Sequence, residues 1–116
     1  MNSEFLNKEN LKKLKFKKLG TNVKISKNVT IVGEKNISLG SNVRIDDYTI
    51  ISADNGNLEV GSNVHIGGQS YFGCSGNIEI GNNVNISQGS KFYSKINKYL
   101  DFEPGNNFVL KKITIK

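Results

Sequence analysis

The chain has no Trp, one Pro (Pro104), one Cys (Cys74) and one His (His65) in 116 residues. Each scarcity excludes something. A single Cys cannot make an intramolecular disulfide, and one Cys with one His cannot assemble a structural zinc site, so no metal centre is expected. No apolar run approaches the roughly 18 residues of a membrane span, which leaves only peripheral contact with a bilayer. The opening residues Met1 to Leu11 include Glu4, Lys8 and Glu9 and lack the apolar core of a secretion signal. Together with the lone thiol, this points to a reducing, cytoplasmic setting. No Gly-rich phosphate loop of the nucleotide type precedes a helix.

Apolar residues are also scarce, at 36%. That is little for one large core, but enough for repeated units that each bury a narrow face against the next. Gly, in contrast, occurs twelve times, which suits short strands joined by tight turns. Sixteen Lys and Arg against ten Asp and Glu give a formal charge of +6 and raise the question of an anionic partner. Seven of the cations, Lys8, Lys12, Lys13, Lys15, Lys17, Lys18 and Lys24, crowd the opening stretch. No aromatic residues interleave the rest as a base-stacking platform would require, so a nucleic-acid partner is not expected.

Four copies of an aliphatic-Gly-x-Asn-Val block recur: Leu19 to Val23, Leu39 to Val43, Val60 to Val64 and Ile80 to Val84. They start 20, 21 and 20 residues apart. Six-residue steps connect Ile25 to Ile31, Ile45 to Ile51, Ile66 to Phe72 and Ile86 to Phe92, so each coil reads as three short faces. Alternating segments such as Leu58-Glu59-Val60 and Ile78-Glu79-Ile80 mark strands with one side inward. Stacking the coils predicts an inner column of Val23, Val43, Val64 and Val84, and another of Ile25, Ile45, Ile66 and Ile86. A third column runs Ile31, Ile51, Phe72 and Phe92. Beside it Val29, Thr49, Ser70 and Ser90 shrink as that column grows, as constant volume demands. Asn22, Asn42, Asn63 and Asn83 are read as corner residues in a ladder, because Asn tolerates positive φ. The predicted class is an all-β solenoid, a parallel β-helix of about four coils with a short N-terminal helix. Spacing leaves its handedness open.

At the start, Phe5, Leu6, Leu11 and Leu14 form a loose helical stripe, with Ser3 placed to cap, so residues 1–15 are read as a helical cap over the first coil. The β-helix proper is assigned to 16–93. After Phe92 the hexad pattern stops, and 94–112 reads as a loop excursion with Pro104-Gly105-Asn106-Asn107 as its clearest turn. Ile113-Thr114-Ile115-Lys116 then repeats the opening of a coil. On this reading 113–116 begins an unfinished coil, and the chain is expected to be a truncated product or a piece of a longer solenoid.

The four Gly-x-Asn-Val blocks with aliphatics at six-residue intervals resemble the hexapeptide-repeat acyltransferases over about Phe16 to Tyr93. Within that superfamily, Ile45-Asp46-Asp47-Tyr48 and Val64-His65-Ile66 look like the bacterial sugar O- and N-acetyltransferases. The resemblance implies a left-handed helix, acetyl-CoA as acyl donor, a sugar or nucleotide-sugar acceptor in surface polysaccharide biosynthesis, and a homotrimer with the cofactor between subunits. It also implies a His acting as general base, since an imidazole titrates near neutrality and can take the acceptor's proton. In one branch of the family that place falls near Asn97 here, and Asn cannot be a base. His65 follows inward Val64, so alternation turns it outward in a column with Lys24, Arg44 and Asn85. It is read either as the catalytic base, with Asn85 as a substrate contact, or as an exposed coil residue like its neighbours in the column; Asp47 is read as a turn residue or a substrate contact. Asp46 and Asp47 are adjacent and point to opposite faces, so they cannot work as a pair. Cys74 is read as a small inward residue. The alternative function is a non-catalytic scaffold or fragment that assembles with itself or a partner chain.

Overall fold

Residues whose side chains alternate inward and outward, interrupted by a Gly-x-Asn corner, can neither continue as a long strand nor coil into an α-helix. They turn. The computed structural model describes residues 4–97, 108–110 and 113–115. Coil one is β1 (Lys18–Leu19), β2 (Lys24–Ile25) and β3 (Thr30–Val32); coil two is β4 (Ile37–Leu39), β5 (Val43–Ile45) and β6 (Ile50–Ser52). Coil three is β7 (Leu58–Val60), β8 (Val64–Ile66) and β9 (Tyr71–Gly73); coil four is β10 (Ile78–Ile80), β11 (Asn85–Ile86) and β12 (Lys91–Tyr93). Each strand pairs in parallel with its counterpart one coil away, giving three flat faces, and the rod measures 48 × 26 × 24 Å.

The inner columns stack in the anticipated register. Val43 lies opposite Val64 and Ile45 opposite Ile66, while Ile31, Ile51, Phe72 and Phe92 succeed one another on the third face. Ile25, Ile45, Ile51, Ile66 and Phe72 are fully buried. Each such side chain contributes about 1.5–3 kcal/mol relative to an exposed one. The Phe72 and Phe92 rings stack with centroids 5.1 Å apart, and the room they take is returned by Thr49 and Ser70, which are buried beside them. Both hydroxyls donate to the Gly67 carbonyl, so these small polar residues are satisfied where they sit.

At the first corner Asn22, Asn42, Asn63 and Asn83 all adopt positive φ, between 55° and 60°. Their side chains form the expected ladder: each Nδ2 donates to the Oδ1 of the next coil, at 2.8, 3.1 and 3.1 Å. The preceding Gly is imposed by closeness, because a Cβ on Gly20 would lie 2.4 Å from the backbone of Gly40. A second left-handed corner occurs at Tyr48, Gln69 and Gly89, where the residue type varies and no pattern announces it.

The N-terminal segment differs from the helical stripe. Phe5 and Leu6 are extended: Phe5 bridges Ser26, and the Leu6 N–H donates to the Ile25 carbonyl at 2.8 Å. Helix α1 is confined to Lys8–Lys13, capped by the Asn7 side chain accepting from the Asn10 N–H at 2.8 Å. Pairing along the free edge of β2 satisfies backbone groups that a longer helix would have left facing that edge. Leu11 is buried, and Leu6 and Phe16 pack against the same core. Ser3 and the Pro104 turn lie outside the described residues. Beyond coil four, β13 (Lys95–Asn97) and β14 (Phe108–Leu110) pair antiparallel, and β15 (Ile113–Ile115) rejoins the first face beside β10, with Ile78 opposite Ile113.

Candidate functional site

The second face is built from β2, β5, β8 and β11, and its inward residues are the Val and Ile columns. Alternation therefore leaves one outward residue per coil: Lys24 pairs with Arg44, Arg44 with His65, and His65 with Asn85. The corner asparagines flank this column and complete an open groove of about 410 Å³, lined by Asn42, Arg44, Asn63, His65, Asn83 and Asn85.

His65 is held on both ring nitrogens. Nε2 lies 2.6 Å from Asp46 Oδ2, and Nδ1 lies 3.0 Å from Asn85 Oδ1. Arg44 Nε binds the other Asp46 oxygen at 3.1 Å, and Arg44 Nη2 comes within 2.7 Å of Nε2. One nitrogen cannot donate to Asp46 and accept from Arg44 at once. The carboxylate decides, because it only accepts, and a bare Nε2 facing it at that distance would set lone pair against negative charge. So Nε2 carries a proton. Arg44 neutralises the carboxylate rather than bonding the ring. The proton-accepting position is then Nδ1, on the Asn85 side, and an amide can offer oxygen to a protonated Nδ1 or nitrogen to a bare one.

The sequence reading and the site agree on the column; of the two readings of Asp47 the structure places it at a turn, and Asp46 is the aspartate beside the ring. His65 and Asn85 are brought together. Asp47 is not beside them: it is half-buried at the second corner, where it accepts from the Ser26 hydroxyl. Asp46 makes the contact instead, with its side chain 25% exposed. The signal for it was present, since Arg44-Ile45-Asp46 alternates and sends the first and third residues to the same side. Asn97 lies in β13, opposite Phe108 and off the second face. Cys74 points inward and is 2% exposed, and burial pushes its thiol up to about 12, so it is inert at neutral pH. Among the described residues no three His, Cys, Asp or Glu side chains converge to hold a metal ion.

Comparison with known proteins places this groove on a familiar scaffold. No family model matches the chain. AntD, an N-acyltransferase from Bacillus cereus solved in complex with dTDP and 3-hydroxybutyryl-CoA, superimposes with a TM-score of 0.85 at 34% identity over 98% of this chain and 63% of AntD. The fold is a left-handed parallel β-helix like that of AntD. An AntD mutant solved with dTDP-4-amino-4,6-dideoxyglucose and coenzyme A matches equally well, with a TM-score of 0.85 at 33% identity over 98% of this chain and 64% of the mutant. In sequence, a dTDP-4-amino-4,6-dideoxy-D-glucose acyltransferase of Escherichia coli is 44% identical over 62 residues, which is 53% of this chain and 32% of that enzyme. The chain thus spans about a third of the curated relative and just under two thirds of AntD. Handedness, left open by spacing, is settled by this likeness.

Proposed function

We propose that the chain serves CoA-dependent acyl transfer to the amino group of a dTDP-linked amino sugar, with His65 as general base. The observation that carries this reading is the His65 ring, outward in an open groove with Nε2 fixed by Asp46 and Nδ1 directed at a replaceable amide. The relatives' ligands supply the substrate class: a dTDP-amino sugar and a coenzyme A thioester. In the reaction the sugar nitrogen displaces Asn85 from Nδ1 and attacks the thioester carbonyl. Its proton passes to Nδ1 as the C–N bond forms, the C–S bond breaks, and the thiolate leaves on coenzyme A. Asp46 stabilises the imidazolium that results and keeps the ring from turning. Lys24, two coils from His65 and beyond Arg44 in the column, is a cation that a phosphate of the substrate would meet.

In this reading the donor is acetyl-CoA or a longer acyl-CoA, the product feeds surface polysaccharide, and the setting is cytoplasmic, consistent with a thiol that has no partner. The working form is a homotrimer whose neighbouring copy closes the groove. Support comes from the third face, where Val32, Ile50 and Tyr93 are exposed outside the core. The test is release of free thiol from acetyl-CoA and 3-hydroxybutyryl-CoA with dTDP-4-amino-4,6-dideoxyglucose as acceptor. Turnover by the wild-type chain that His65→Ala abolishes supports the reading. A chain that assembles yet binds neither CoA thioester in calorimetry is a scaffold, and the catalytic reading fails.

A further inference from the structure

The charge of the sequence is uneven: both terminal stretches are basic, residues 95–116 with five Lys against Asp101 and Glu103, and the coils between them are acidic. The first 27 residues carry eight Lys against Glu4 and Glu9, while residues 28–94 carry three cations, Lys35, Arg44 and Lys91, against six acids. Six of the lysines, Lys8, Lys12, Lys13, Lys15, Lys17 and Lys18, fall within eleven residues that form α1 and the approach to β1. All six are exposed. The ion pairs among the described residues involve Lys27, Arg44 and His65, so none of the six has its charge compensated. The segment is fastened to coil one by the Leu6 and Lys27 backbone bonds and by buried Leu11, which fixes these cations at one end of the rod.

We infer that this end docks on an anionic lipid bilayer. Three polyanionic partners have the right sign, and their other requirements separate them. A small phosphorylated ligand needs a concave cradle. The groove that Lys18 borders is walled by Glu59 and Glu79, which repel it. A single-stranded nucleic acid is gripped by aromatic faces interleaved with the cations, and the aromatic in this stretch, Phe16, packs against the core; a duplex is left to the experiment to separate. A flat anionic surface asks only for a dense, exposed cation cluster at the end of a body. That is what this end presents, and the net-acidic coils of residues 28–94 turn their sides away from such a surface. The attachment is peripheral and electrostatic, since no helix among the described residues is long and apolar enough to cross a membrane.

The experiment is sedimentation of the 116-residue chain with phosphatidylcholine vesicles, with and without about 30% phosphatidylglycerol, at low salt and at about 0.5 M NaCl, where the screening length falls below the size of one side chain. Binding is expected only with phosphatidylglycerol and only at low salt. Each lysine near such a surface is worth about fivefold in affinity, so Lys12→Gln, Lys13→Gln and Lys17→Gln together lower binding about a hundredfold. These exposed positions leave thermal unfolding and the proposed acyl transfer unchanged. Equal binding to phosphatidylcholine alone, no binding at low salt, or a triple variant that binds like wild type overturns the inference. So does capture by a single- or double-stranded oligonucleotide under conditions that leave the vesicles unbound.

Discussion

The inside and outside of the second face are made from the same strands and follow opposite rules. Inward, the four coils repeat Val and Ile with no exception. Outward, no residue recurs: Lys24, Arg44, His65 and Asn85 are four different chemistries at one geometric position. Inward side chains meet their own kind one coil away, so identity is enforced by packing; outward ones meet water and can diverge without loss of the fold. In this architecture repetition marks what holds the chain together, and departure from repetition marks where chemistry can be placed.

That contrast breaks most clearly at its two extremes. His65→Ala lowers acyl transfer by about a hundred- to ten-thousandfold, the range for a general base, while unfolding in urea shifts by less than about 0.5 kcal/mol. Ile45→Ala, one coil down and inward, does the reverse. It costs about 2–5 kcal/mol because the stacked neighbours cannot collapse into the void, as a drop in the urea midpoint at constant slope will register. Asp46→Asn sharpens the outward rule. It keeps the shape but loses the charge on Nε2, so kcat falls about ten- to a hundredfold and the pH profile moves, with stability little changed. Asn63→Ala falls between the regions, losing both its tolerance of positive φ and two ladder bonds, for about 1–2 kcal/mol by thermal melting.

The smallest effect belongs to Cys74 and appears only in alkali. Its thiol is raised from 9.0 to about 12 by burial, so the folded state keeps a proton that the unfolded state has lost. Its contribution to stability is fully present below pH 9 and declines as pH rises from there toward 12. Native protein should leave a disulfide reagent uncoloured at pH 8 and react once unfolded.

How much could be read beforehand follows the same division. The inner columns, the Asn ladder and the outward turn of His65 were legible because four copies of each vote for one register. Handedness was not, since both hands satisfy the same spacing. The helix start was misplaced because apolar periodicity at Phe5 and Leu6 competes with strand pairing along β2, which only the folded coil reveals. The side on which Asp46 lies was legible from alternation, but its contact with His65 was not, because the partner is 19 residues away and the contact depends on how far side chains reach across coils. The corner at Tyr48 and Gln69 escaped for want of any shared residue type.

The coil repeat of 20 or 21 residues governs how such a molecule can change size. The one extra residue lies in the connection 53–57, whose counterparts are 33–36 and 74–77. A splice of a whole coil returns every later Val and Ile to its place. A splice of intermediate length within a face or at the other corners moves all of them out of line together. Length within the faces is quantised in turns of the rod, and other insertions belong at that one corner, where β13 and β14 leave the helix before β15 rejoins the first face opposite β10.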